Sequence, residues 1–223
     1  MSLPPVFTKN NVNIQTGANL HYQGIPLERF HVKAAASIVN KALECLISTH
    51  RQIKYQLHGK SLRYARRYFM FGPQGPDSME RNTMLAVITL TMNGIRSERT
   101  IVVDEHGFNP GAMGWTSSIH IPQDQLNNTK QQFPDRKFYF DGESDDYVMM
   151  GNITVSGGLL NAEKKQGVMT FIHEATHRYA NTLDFDEPGY SNDGVTYNQP
   201  GLTTRQALSN AESYGWFAYK VGR

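Results

Sequence analysis

The chain has 223 residues, 39% of them hydrophobic and 19% charged, with a formal net charge of +2. Length and composition fit one good-sized soluble domain that buries its own core, and they exclude a disordered chain. The near-neutral balance argues against nucleic-acid and membrane partners, and the single cysteine, Cys45, excludes an intramolecular disulfide.

The opening Met1-Ser2-Leu3-Pro4-Pro5 lacks the basic start and apolar run of a secretory signal, and no apolar stretch reaches transmembrane length. The expectation is a soluble protein, cytoplasmic or exported by a specialised leaderless bacterial route. Residues 1–28 are polar and Asn/Gly-rich and read as an irregular arm or short edge strands. From Arg29 to His50, apolar residues including Val32, Ala35, Ile38, Val39, Ala42, Leu43 and Leu46 recur at helical spacing. A second, basic helix covers Leu62 to Met70, and Arg63, Arg66 and Arg67 read as its solvated face. The segment Gly72-Pro73-Gln74-Gly75-Pro76 breaks it. Asp77 with Glu80 three residues on forms a capping-box pattern that opens a third helix to about Met92.

The middle of the chain reads as strands: Thr100 to Val103, Lys137 to Phe140, and Tyr147 to Val155. Asn127-Asn128-Thr129 and Asn152-Ile153-Thr154 are formal glycosylation acceptors. Asn161 caps a helix running to about Ala180. Thr203 with Gln206 opens a terminal helix through Ala211, Phe217 and Val221. Helices dominate both ends with a small sheet between, so the fold class is α+β, mostly helical.

The chemistry lies in His173-Glu174-Ala175-Thr176-His177. Residues four apart share one face of a helix, so two imidazoles reach one metal ion. Glu174 is turned roughly 100° from His173, beside the metal, where a general base takes a proton from a metal-bound water. The lead-in Val168-Met169-Thr170-Phe171-Ile172 is too apolar for a surface helix. Zinc in a catalytic site takes three protein ligands and keeps one position open. Past the helix end, Asp184, Asp186 and Glu187 offer carboxylates in a loop.

Three segments resemble the aspzincin metallopeptidases, the group of deuterolysin and peptidyl-Lys metalloendopeptidase. These are the motif itself, Asn181-Thr182-Leu183-Asp184 in the place of a Gly-Thr-x-Asp segment, and Ala207-Leu208-Ser209-Asn210-Ala211-Glu212-Ser213-Tyr214 near the C-terminus. The resemblance covers about the last 60 residues. It implies a zincin-like domain over residues 29–223 and a Zn2+ cofactor held by His173, His177 and Asp184, with Asp186 as the rival third ligand. It also implies Glu174 as catalytic base and a tyrosine, here Tyr190, that donates to the oxyanion. The family glycine is Asn181 here, its tyrosine position falls on Glu187, and its C-terminal aspartate is Glu212. The expected function is a zinc metalloendopeptidase acting on protein or peptide substrates. The alternatives are a zinc amidase, a narrow-target toxin or effector protease, and a catalytically silent metal-binding module.

Overall fold

The computed structural model describes residues 6–16, 29–104, 113–134, 136, 138–141, 144–161, 164–185, 189 and 201–223. The first stretch holds two short strands, β1 (Val6–Lys9) and β2 (Val12–Thr16). Asn10 and Asn11 join them at φ 51° and 59°. Two consecutive positive φ values are the signature of a tight hairpin turn, and asparagine tolerates them better than any other residue with a side chain.

Three helices come next: α1 (Arg29–Tyr55), α2 (Gly59–Tyr68) and α3 (Ser78–Ser97). The expected capping box opens α3. Asp77 accepts from the Glu80 backbone N–H at 2.8 Å, and Glu80 accepts from the Asp77 N–H at 2.8 Å. The middle of the chain supplies β3 (Thr100–Asp104), β4 (Gly114–Ile121), α4 (Leu126–Gln132), β5 (Phe138–Asp141) and β6 (Asp146–Ser156). The chain ends in α5 (Gly157–Asn161), α6 (Lys164–Ala180), the single turn α7 (Thr204–Ala207) and α8 (Ala211–Val221).

The mixed sheet runs β1-β2-β3-β6-β4, with β5 also paired to β6. β2, β3 and β6 are parallel neighbours, whereas β4 and β5 run antiparallel to β6. Val12 and Ile14, Ile101 and Val103, and Ile153 and Val155 alternate along their strands and are fully buried. Residues two apart on a strand share one face, so these six form the apolar floor on which the helices lie.

α6 is the central helix. It packs on α1, α3 and α8 and on strands β4 and β6, and every residue from 167 to 178 is buried. A helix enclosed on all sides forces its polar side chains to find partners inside the protein. α8 closes the core with Tyr214, Trp216 and Phe217. Phe69 meets the rings of Tyr214 and Phe217 edge-on at centroid separations of 4.9 and 5.2 Å.

One expectation changes shape. The terminal helix is interrupted: Thr203 caps only α7, and α8 starts afresh at Ala211. Asn152, the second formal glycosylation acceptor, is partly buried and engaged on both ends of its amide. Its Oδ1 accepts from Arg136 and Arg178, and its Nδ2 donates to Gln15. No helix among the described residues is long and apolar enough to cross a membrane.

Phe217→Ala empties a fully buried ring site against Phe69. The expected loss is about 3–5 kcal/mol of stability, read as a lower urea midpoint at unchanged slope.

Candidate metal centre

His173 and His177 project from adjacent turns of α6, and their Nε2 atoms lie 3.1 Å apart. Asp184 Oδ1 completes the group, 3.3 Å from His173 Nε2 and 3.2 Å from His177 Nε2. Each imidazole has its other nitrogen occupied. His173 Nδ1–H donates to Glu212 Oε2 at 3.0 Å, and His177 Nδ1–H donates to the Thr182 carbonyl at 2.7 Å. With the protons fixed outward, the Nε2 lone pairs point inward at one another and at a carboxylate oxygen.

Three such atoms held this close need a positive charge among them, either a shared proton or a metal cation. Zinc bonds of about 2.0–2.1 Å in tetrahedral geometry set ligand atoms about 3.3 Å apart, which the three observed separations match. The donor set, two neutral imidazoles and one carboxylate, is one that zinc accepts. Both histidines are nearly buried while the Asp184 side chain is 44% exposed, so the group opens to solvent on the aspartate side.

The chain reversal that delivers Asp184 explains a departure seen in the sequence. α6 ends at Ala180, and Asn181 adopts φ 53°. That is the left-handed region where a helix ends on glycine or, failing that, asparagine. The Asn181 N–H bonds back to the His177 carbonyl at 3.1 Å. Thr182, buried, donates from Oγ1 to Thr176 Oγ1 at 2.8 Å, stapling the returning chain to the helix. Leu183 is then clamped from both sides: its N–H donates to the Ser209 carbonyl at 2.7 Å, and its carbonyl accepts from the Ala211 N–H at 2.9 Å. This bridge uses backbone groups that a continuous terminal helix would need, so the helix breaks between α7 and α8.

Glu212 was legible only as the counterpart of a family aspartate, with no role visible in its spacing. In the structure it is buried and bidentate, accepting from His173 on Oε2 and from Trp216 Nε1 on Oε1 at 2.8 Å. Gly215, one turn on, lets α8 come this close. A Cβ there would meet Met169 Sδ at 3.1 Å and the Met169 carbonyl at 3.2 Å.

Glu174 lies beside the triad, with Oε1 3.8 Å from His173 Nε2. Thr116 on β4 is the other residue that sequence reasoning missed. Its Oγ1 sits 3.0 Å from Glu174 Oε2 and 3.1 Å from the Glu174 carbonyl. Gly114 keeps β4 close to α6, because a Cβ there would meet Thr170 Cγ2 at 2.6 Å and Glu174 Cγ at 3.3 Å.

Burial sets the electrostatics. It pushes the Glu174 carboxyl above its ordinary range, and the two imidazoles and Thr116 only partly offset this. Burial alone would lower His173, but its bonds to Asp184 and Glu212 outweigh it and raise the ring to about 10. Burial likewise opposes ionisation of Asp184, yet the two histidines hold that carboxyl well below the usual range. A metal ion held here would have to displace the proton shared in this cluster.

Tyr190 and Asp186 lie outside the described residues, and the triad brought together is His173, His177 and Asp184. Glu212→Ala should weaken zinc binding about 10–100-fold, measured by competition with a chromogenic chelator. Glu212→Gln, which keeps an acceptor oxygen for His173, should recover part of the loss.

In comparison with known proteins, no family model matches the chain and no curated protein matches its sequence. Among solved structures, a zinc peptidase from Grifola frondosa has the same fold, with a TM-score of 0.53 over 84% of this chain and 93% of that one, at 13% identity.

Proposed function

We propose that the chain is a zinc-dependent metalloendopeptidase of the aspzincin type, with His173, His177 and Asp184 as metal ligands and Glu174 as general base. One observation carries the reading: three ligand atoms converge at tetrahedral spacing with an unligated, buried carboxylate beside them. The shared fold with a zinc peptidase supports it.

A bound zinc ion supplies a water of pKa about 7 and polarises the scissile carbonyl. Glu174 takes the proton of the attacking water and returns it to the leaving amine nitrogen. Its raised affinity for a proton brings it nearer neutrality, where one group does both tasks well. Thr116 holds the carboxylate in place. Tyr190, on the strength of the resemblance, donates to the developing oxyanion.

β4 favours a peptide main chain over a small amide. Among the described residues it pairs on one side only, with β6. Its other edge offers backbone N–H and C=O groups to an extended substrate beside Glu174.

Glu174→Gln is expected to lower casein cleavage by about 10²–10⁴-fold while equimolar zinc stays bound; wild-type turnover in that variant sinks the assignment. Chelation should silence the wild type, and added zinc should restore it. Asp184→Ala should lose the metal, and loss on Asp186→Ala instead would move the third ligand there.

Thr116→Val removes a bond that favours the ionised Glu174. The base must be deprotonated to act, so kcat should fall at low pH and its acidic limb should move to higher pH, with KM unchanged. An unmoved limb would show that Thr116 does not orient the base.

A further inference from the structure

Positive charge collects where α2, α6 and α8 meet, although the whole chain carries only +2. α8 packs on both of the other helices. Lys165, in the first turn of α6, and Lys220, in the last turn of α8, lie over one ring. Their Nζ atoms stand 5.1 and 5.6 Å from the centroid of Trp216. The ring is fully buried while both lysines are half-buried, so the stems cover it and the ammonium groups reach solvent. On α2, Lys60, Arg63, Tyr64 and Arg67 are three or four apart and share one face. Lys60 and Arg63 are exposed, and their charged groups stand 5.7 and 5.4 Å from the Tyr64 ring centroid. Tyr64 and Arg67 in turn act electrostatically on Lys220, which joins the two groups into one surface.

No acidic side chain on these helices balances that charge. Across residues 59–68, 164–180 and 211–223 the only carboxylate side chains are Glu174 and Glu212, both buried at the metal centre. Lys60, Arg63, Lys165 and Lys220 form no ion pair among the described residues. Lys60 and Lys165 each sit in the first turn of a helix with no acidic residue there, at the positive end of its dipole. Lys220 is crowded as well. Partial burial first, then the charges of Lys165, Arg223 and Arg67, hold its ammonium below the ordinary lysine range. An anion laid across this surface relieves all of these repulsions at once.

The surroundings narrow the class of anion. Base stacking needs an open ring face, whereas Trp216 and Tyr68 are fully buried and Tyr64 already carries two cations. Insertion into an anionic bilayer needs an apolar face, and the large exposed hydrophobic side chains among the described residues all lie outside these three helices. An extended acidic peptide needs neither, only carboxylates spaced along a chain.

We propose that the surface formed by α2, the start of α6 and the end of α8 docks a glutamate- or aspartate-rich segment of a partner protein, with Arg63, Arg67, Lys165 and Lys220 pairing its carboxylates. Docking is independent of the peptidase reading, because none of these cations is a metal ligand.

Fluorescence anisotropy of the full chain tests it, with a labelled peptide of alternating Glu and Gly as probe. The comparison arms are the Gln/Gly analogue, an oligothymidylate of equal length, and vesicles of phosphatidylserine and phosphatidylcholine. Saturable binding of the acidic peptide is expected at low salt, weakening as salt rises, with the Gln analogue at least about tenfold weaker. Lys165→Gln combined with Lys220→Gln keeps part of both stems over Trp216 and should lower affinity at least about tenfold. Arg63→Glu, at an exposed position, should lower it at least about fivefold and provides a second variant should the first fold poorly. Lys130→Glu, an exposed reversal on α4, should leave binding unchanged. Absence of binding overturns the proposal. So does binding that survives both variants, or that Lys130→Glu weakens equally. Tighter binding of the oligonucleotide or of the vesicles at the same salt overturns the partner class.

Discussion

Two imidazoles pressed face to edge inside a helical core, with their Nε2 atoms 3.1 Å apart, are the constraint around which this protein is organised. Left alone, the rings would rotate apart or bind a proton. They stay aligned because each has its Nδ1–H anchored, one to a carbonyl from the chain reversal after α6 and the other to a carboxylate from α8. A buried polar group without a partner is costly, so each anchor stabilises the fold and orients an imidazole at once. Asn181 in its left-handed conformation, the Thr182 staple and the bare face of Gly215 are the local conditions that let these anchors exist.

The same burial shapes the chemistry. Within a low-dielectric core, charges act strongly on their neighbours and little is lost to water. Glu174 therefore holds a proton more readily than an exposed glutamate, while Asp184, facing two imidazoles, holds one less readily. Two carboxyls ten positions apart in the chain are driven in opposite directions by their surroundings. That divergence is what the proposed roles of proton carrier and metal ligand would require.

How much could be read in the sequence depends on how local each rule is. The His-x-x-x-His spacing rests only on the pitch of a helix, and the capping box at Asp77 and Glu80 rests on four consecutive residues, so both were visible. β4 was not. Its Thr-Ser-Ser-Ile-His run is exposed and lacks a clean alternation, and it becomes a strand by pairing with β6. The break between α7 and α8 was hidden for a similar reason. The capping pattern at Thr203 is genuine, but a bridge from Leu183 to Asn210 stops the helix that the pattern opens. Asp184 was reached through family resemblance, as no spacing rule marks it. Glu212 stands 39 residues from the ring it orients, and no local pattern announces such a partner.

The Leu183 bridge has an implication for how this architecture can change. Residues 183 and 210 are joined by a bridge, so Asp184 after one and Glu212 beyond the other are held in register whatever the length of chain between them. Insertions or deletions within that stretch alter its size without displacing the aspartate or the glutamate. Loop closure costs grow only slowly with length. The returning end is not free in this way, because Leu202 and Ala207 belong to the core, so the room for change lies ahead of them.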